Sequence, residues 1–302
     1  MVDIVDLIEK ANIGKIDKEP SIKKYTTYKV GGKALAVVYP KNIDSLIDLI
    51  ELLNSNNIKF KVLGNGSNLL FSDKDYDGII IKLSDFNDVD FIGKNKIRVG
   101  AGYSLIKLSL MAARRGLAGL EFAAGIPGTI GGATFMNAGA YGSDMGYIVQ
   151  QVKVLTPDLR IITLENRELD FHYRTSFLKK HPDYICLEAL LRLNVGDKNA
   201  INEVINDRRK RRISSQPVDA ISAGSVFRNP EGASAWKLID DLGLKGYRIG
   251  GAMVSEKHAN FIINYDNATG EDIRNLILYV HDKVKEKYNI DLIVEQEFVN
   301  WE

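Results

Sequence analysis

Glycine spacing is the first feature of this sequence that bears on chemistry. Residues 116–146 carry nine of the chain's 26 glycines, and the densest part reads AGIPGTIGGATFMNAGAYG. Glycine admits positive φ and lets the backbone come close to a ligand, so serial glycines can aim amide N–H groups at a phosphate. A second loop, LGNGSNLL at 63–70, leaves a predicted strand and adds two glycines beside Asn65, Ser67 and Asn68. Two such loops suit a ligand with two phosphates, as a dinucleotide has. Either loop alone reads equally well as a set of tight turns. The pair, one with GxxGxxGG spacing, favours a phosphate cradle. It is not the Rossmann fingerprint: the nearest match, GAGYSL at 100–105, has Leu105 where the third glycine belongs. The P-loop pattern GxxxxGK[ST] is absent as well.

A second constellation is SAGSVFRNP at 222–230, where Ser225 follows a glycine and Arg228 and Asn229 follow closely. A serine here can be a nucleophile or a proton donor. A nucleophile needs a His or Lys base, and the GxSxG elbow is missing because Phe227 takes its last position. A serine in a glycine-rich turn also reads as a simple turn or cap residue. Arg174 in HYRTSF and Glu297 near the C-terminus read, by themselves, as partners in surface ion pairs. The four histidines and the single Cys186 show no metal-ligand spacing, so no zinc site is expected. Among the histidines, His258 lies in a Gly- and Ser-bounded segment near the candidate site. RRKRR at 208–212 points all around a helix and fits a solvated one; the lesser reading gives some of these arginines a substrate diphosphate.

These residues need elements to position them. Asn42 is placed to cap a helix that puts Ile43, Leu46, Ile47, Ile50 and Leu53 on one face. IKFKVL (58–63), GIIIKL (78–83) and KIRVGAG (96–102) read as strands, and Ser104 caps a helix that ends before Gly116. Three further strands are VQQVKVLT, LRIITL and YICLEALLRL, followed by helices over about 199–213 and 270–288, the latter with Thr269 and Asp272 at capping-box spacing. The final IDLIVEQEFV alternates like a terminal strand. At 302 residues the chain suits two or three domains, and its net charge of +1 excludes a global pull toward nucleic acid or an anionic membrane. The start, MVDIVDLIEKA, mixes acids among apolar residues, unlike a secretion signal, and no apolar run approaches the ~20 residues of a membrane helix. With one cysteine, a reducing cytoplasm is the expected location.

Seven segments, in order, resemble the UDP-N-acetylenolpyruvoylglucosamine reductase family: YTTYKVGG (25–32), VLGNGSNLL (62–70), GLEFAAGIPGTIGGATFMNAGAYG (119–142), YRTSF (173–177), AGSVFRNP (223–230), GLKGYRIGGAMVSEKHANFIIN (243–264) and VEQEF (294–298). The resemblance implies an α+β protein: an FAD-binding fold of the vanillyl-alcohol oxidase type with a smaller α+β substrate-binding domain. The expected division is 1–197 for FAD binding, in subdomains of about 1–75 and 76–197 to which a strand within 291–302 returns, and 198–290 for substrate. Noncovalent FAD is expected along Val62, Leu63, Gly64, Asn65, Gly66, Ser67 and Asn68, and along Gly125, Ile126, Pro127, Gly128, Thr129, Gly131, Gly132, Ala133 and Gly139. NADPH is the implied co-substrate, reducing the flavin and leaving before the enolpyruvyl UDP-sugar binds in the same place.

By motif position, Ser225 resembles the family's proton donor, and Arg174 and Glu297 the pair that stabilises developing charge. Tyr141, Arg228, Asn229 and His258 are the implied substrate contacts. A monomer without nucleic-acid partner or membrane insertion is expected. There are departures from the family. Arg228 stands where lysine is more usual, SSQP (214–217) lacks a usual basic residue, and the tail departs from the EVR-type ending, so Glu297 rather than Glu295 is chosen by alignment. The length resembles the shorter variant without a tyrosine-bearing loop. Two alternatives share parts of this pattern: an FAD-dependent oxidase of small alcohols or sugars on the same fold, and a nucleotide-binding module without redox chemistry.

Overall fold

A computed structural model describes residues 4–301; Met1–Asp3 and Glu302, the ends of the expected domain spans, lie outside them. The chain divides into two units. One comprises residues up to Lys18, Ala36–Asn65 and Gly78–Lys210; the other comprises Glu19–Leu35, Gly66–Asp77 and the chain from Arg211 onward.

The first unit holds most of two sheets. In the smaller, the strand order is Gly14–Lys18, Ala34–Pro40, Tyr76–Ile81, Lys59–Val62, and the last two run parallel with Lys59 opposite Gly78 and Val62 opposite Ile81. The helix Ile43–Ser55 connects Ala34–Pro40 to Lys59–Val62. Asn42 caps it through Ser45, and Ser45 returns the bond to Asn42, a full capping box. The helix buries Leu46, Leu49, Ile50 and Leu53, whereas Ile43 and Ile47 of the expected stripe stay half-buried. The buried face is the i, i+3, i+4, i+7 set that begins at Leu46, three residues after the expected start at Ile43. The larger sheet is antiparallel, in the order Ile161–Glu165, Val149–Leu155, Ile185–Arg192, Lys96–Gly100, Val89–Ile92. The short helix Ile130–Met136 packs on its two strands Ile185–Arg192 and Lys96–Gly100. Helix Lys198–Ser215 buries only Ile201 and Ile205, against Ala113 and Ala124, so the RRKRR run sits on a mostly solvated helix.

In the second unit the helix Gly270–Tyr288 covers a three-stranded sheet of Arg248–Ile249, Ala252–Val254 and Ile262–Asn264. Thr269 and Asp272 form the expected capping box, and Ile273, Leu276, Ile277, Val280 and Val284 make the buried stripe. Tyr28, Val30, Leu70, Val226 and Phe227 complete this core. The expected terminal strand is confined to Glu297–Val299, which pairs in parallel with Leu69–Phe71. No helix among the described residues is long and apolar enough to cross a membrane.

Candidate active site

The first glycine loop begins where the strand Lys59–Val62 stops. Leu63 still donates its N–H to the Ile81 carbonyl at 2.9 Å. Beyond it, the N–H groups of Gly64, Asn65, Gly66 and Ser67 donate to no protein acceptor among the described residues. Gly66 has φ +63°, and a Cβ there would lie 2.2 Å from the Tyr25 carbonyl oxygen, so only glycine fits. The Lys82 ammonium donates to the Gly64 carbonyl, and burial pushes its pKa below the usual lysine value. Lys82 was not among the residues expected from sequence.

The second loop is laced to residues 101–105. Leu105 N–H reaches the Gly128 carbonyl at 3.0 Å, Ile130 N–H the Tyr103 carbonyl at 2.9 Å, and Gly131 N–H the Ala101 carbonyl at 2.8 Å. A Cβ on Gly131 would sit 3.0 Å from Ala101 Cβ, a close approach that glycine permits. Thr129 caps the helix Ile130–Met136 by accepting from Gly132 N–H at 3.3 Å. The GAGYSL stretch, set aside as a dinucleotide fingerprint, is therefore the brace of this loop. Its own glycines serve the protein: a Cβ on Gly100 or Gly102 would meet the Phe86 or Leu83 carbonyl oxygen at 2.2 and 1.8 Å.

The two loops meet. Asn65 Nδ2 donates to the Pro127 carbonyl at 3.3 Å, and a Cβ on Gly64 would come 2.8 Å from Thr129 Oγ1. Gly128 differs from its neighbours. Its φ is not in the left-handed region, and a Cβ built on it meets no protein atom within 4 Å. The protein does not require glycine there, so the bare backbone keeps space for something else. Unused amides, a half-buried ammonium and a vacated Cβ position are the donor set and clearance that a dinucleotide diphosphate needs. The residues present fit FAD. Gly139 reads differently, since a Cβ there would meet Ser143 O and Asp144 Cβ at 2.5 Å, which makes it a hairpin glycine.

Arg174 lies in a turn closed by reciprocal bonds between His172 and Thr175, both 3.1 Å. Its φ of +57° is unfavourable for a residue with a Cβ, and such strain persists where the surroundings over-determine it. The guanidinium is tied to the Gly139 carbonyl at 2.7 Å. Tyr141, also at positive φ, donates its hydroxyl to the Arg208 carbonyl at 2.9 Å, and the Arg208 guanidinium lies 5.1 Å from the ring centre. The basic helix thus reaches an expected substrate residue through Arg208.

In the second unit Ser225 follows Gly224, whose φ is +77°. Its half-buried hydroxyl makes no hydrogen bond to a protein group among the described residues. Glu297 N–H donates to the Asn68 carbonyl at 3.0 Å, and Asn68 Nδ2 donates to the Glu295 carbonyl at 3.2 Å. This unit therefore brings the end of the first glycine loop to Glu297. Arg228 N–H is held by the Ile293 carbonyl at 2.9 Å, and Asn229 Oδ1 accepts from Ala235 N–H at 3.0 Å at the start of helix Ala235–Asp241. His258 Nδ1 accepts from Asn260 N–H at 3.2 Å, which leaves the ring proton on Nε2. Burial first, and then the Lys245 charge, hold its pKa below the usual imidazole value, consistent with a neutral ring.

Comparisons with known proteins agree with this geometry. Residues 34–165 match the FAD binding domain family, and residues 216–299 match the UDP-N-acetylenolpyruvoylglucosamine reductase C-terminal domain. A UDP-N-acetylenolpyruvoylglucosamine reductase of Bacillus subtilis is 40% identical over 299 residues, covering 99% of both chains. That of Anoxybacillus flavithermus is 43% identical over 290 residues, covering 96% of both. The crystal structure of the corresponding reductase from Thermus caldophilus superposes with a TM-score of 0.81 at 36% identity, covering 94% of this chain and 98% of that one.

Proposed function

The chain belongs to the UDP-N-acetylenolpyruvoylglucosamine reductase family, and from that membership we propose that Ser225, Arg174 and Glu297 carry its chemistry. The protein is an FAD-dependent oxidoreductase that uses NADPH to reduce UDP-N-acetylglucosamine enolpyruvate to UDP-N-acetylmuramate, a peptidoglycan precursor. The alternative oxidase of small alcohols or sugars is not favoured, because the C-terminal match over 216–299 is to the reductase.

FAD, when bound, would supply hydride chemistry fed by NADPH. Reduction at the terminal carbon of the enolpyruvyl group would send the alkene electron pair to the adjacent carbon and its carboxylate. Ser225 O–H gives this carbon its proton, and the serine oxygen regains one from solvent. A carbanion is basic enough to take a proton from an ordinary hydroxyl if that hydroxyl is well placed. Arg174 holds the substrate carboxylate, where its charge matters most as electron density arrives. Glu297 shares with Arg174 the stabilisation of the developing charge. Tyr141, Arg228, Asn229 and His258 contact the substrate, and the two glycine loops with Lys82 hold the FAD diphosphate.

One observation carries the role of Ser225: its hydroxyl engages no protein group among the described residues, while Val226 and Phe227 beside it are buried. The test separates the half-reactions. Ser225→Ala leaves NADPH bleaching of the flavin intact and abolishes nearly all reoxidation by the enolpyruvyl sugar nucleotide. Steady-state turnover at the parental rate removes Ser225 from the mechanism. The same reading places the enzyme in the cytoplasm as a monomer, which gel filtration and fractionation check.

A further inference from the structure

We infer that Asn260 and Gln296 are positioning residues that form a two-amide clamp on the segment bearing Ser225. The inference rests on the reading of Ser225 as proton donor and adds the means by which its hydroxyl is aimed.

The turn at 223–227 belongs to no regular strand, so its backbone groups need partners from elsewhere. Asn260 supplies them on the C-terminal side. Its Oδ1 accepts from Phe227 N–H at 2.9 Å, its Nδ2 donates to the Phe227 carbonyl at 2.8 Å, and its own carbonyl accepts from Val226 N–H at 2.9 Å. Gln296 acts on the N-terminal side, where its Nε2 donates to the carbonyls of Ala223 at 3.2 Å and Gly224 at 3.5 Å. The Val226 carbonyl is taken by Glu295 N–H at 2.8 Å. Residues 223, 224, 226 and 227 are thus all tethered, and Ser225 alone between them has an unengaged side chain.

The clamp is built for rigidity. Asn260 and Gln296 are buried, as are Ala223, Val226 and Phe227. Gln296 Oε1 is in turn fixed by the Tyr28 hydroxyl at 3.1 Å, and Tyr28 is fully buried. Burial raises the Tyr28 pKa despite the bond to Gln296, so the phenol remains a donor and selects the amide orientation that points Nε2 at the turn. Asn260 is held at its backbone by His258 Nδ1. A single amide would leave Ser225 free to pivot with Gly224, which sits at φ +77°. Two amides on opposite sides remove that freedom. A side chain that uses one torsion to place its oxygen then has its reach set by the backbone alone.

The test uses the FAD-loaded enzyme and the variant Gln296→Met, which keeps the volume and removes the amide. Reduction of the flavin by NADPH, FAD affinity and KM for the enolpyruvyl sugar nucleotide stay within about twofold, since none depends on the serine's aim. Reoxidation by that substrate slows ~10- to 100-fold, the scale of a misplaced catalytic group. Its solvent deuterium isotope effect rises as proton transfer becomes limiting. In a Ser225→Ala background, Gln296→Met costs nothing further. Normal reoxidation, an additive loss in that background, or an equal slowing of both half-reactions overturns the clamp. Parental turnover in Ser225→Ala instead overturns the reading on which it rests. If Gln296→Met does not fold, Tyr28→Phe, which frees the amide but keeps the buried ring, must give the same half-reaction pattern at a smaller size; parental reoxidation in Tyr28→Phe then refutes the clamp.

Discussion

The contrast between Gly128 and Gly66 gives a prediction with opposite signs in two assays. At Gly66 the backbone sits at φ +63° and an added Cβ meets Tyr25 O at 2.2 Å and Thr26 Cα at 2.9 Å. A carbon–oxygen contact normally rests at about 3.3 Å, so the backbone must move by roughly 1 Å. The left-handed conformation and this overpacking together make Gly66→Ala about 2–5 kcal/mol less stable in the FAD-free protein. At Gly128 no protein atom lies within 4 Å of the new Cβ, and φ is compatible with alanine. The FAD-free Gly128→Ala protein is therefore ~0.4–1 kcal/mol more stable, because alanine restricts the unfolded chain. If the cleared volume belongs to the cofactor, the methyl costs ~1–3 kcal/mol of binding, or about 5- to 150-fold in Kd for FAD. Urea denaturation of the FAD-free proteins reads the first quantity, and quenching of flavin fluorescence reads the second. Parental FAD affinity in Gly128→Ala would refute the argument, because the glycine would then be vacant for no ligand.

Two further outcomes follow from charge. Lys82→Met removes a half-buried ammonium and its bond to the Gly64 carbonyl. FAD affinity falls ~10- to 150-fold, the worth of a hydrogen bond to a charged group, and its salt dependence weakens; equal Kd values at low and high salt for variant and parent would rule this out. His281 lies between Asp282, 2.9 Å away, and Asp291, 2.7 Å away, and the Asp282 bond raises its pKa above the ordinary value while partial burial opposes the shift. A raised folded pKa gives stability that is complete below about pH 6.5 and lost as pH climbs through the folded value. His281→Asn therefore costs up to ~1 kcal/mol at pH 6 and less at pH 8.5, as urea midpoints at both pH values report.

Much of the architecture was legible because it depends on local chemistry. The caps at Asn42, Ser104 and Thr269 form as their types and spacings require, and the strand-like runs at 59–62, 78–81 and 149–155 lie in sheets. The two glycine loops could be paired from composition, and the Asn65–Pro127 bond brings them together. What composition could not reveal was which glycine serves which end. Gly128, Gly131 and Gly139 look alike in sequence, but only their neighbours separate a cleared ligand space from a helix packed on Ala101 and a tight hairpin. The terminal strand was overextended for a related reason. The alternation of IDLIVEQEFV reflects side chains packing from an extended segment whose backbone bonds go to 226 and 228, before the ladder with Leu69–Phe71 begins.

Lys82 apart, the residues that sequence reasoning missed share one chemical property. The side chains proposed as catalytic at Arg174 and Ser225 stand on irregular backbone, which leaves N–H and C=O groups that burial does not forgive. Asparagine and glutamine carry a donor and an acceptor side by side on one planar amide, so one residue can do for a loop what a neighbouring strand does for a sheet. Asn137 illustrates it in the first unit. Its Nδ2 reaches the His172 carbonyl at 2.8 Å, at the turn that carries Arg174, and its Oδ1 accepts from Gly146 N–H at 2.9 Å. Asn260 and Gln296 repeat the device around Ser225 in the second unit. In sequence an asparagine reads as a turn former or a cap, because the local competition for its own backbone is all that spacing reveals. These amides find partners 33, 35 and 73 residues away, so their meaning resides in the tertiary fold. A buried amide beside an irregular, glycine-rich turn is consequently a better pointer to a positioned catalytic group than the turn itself.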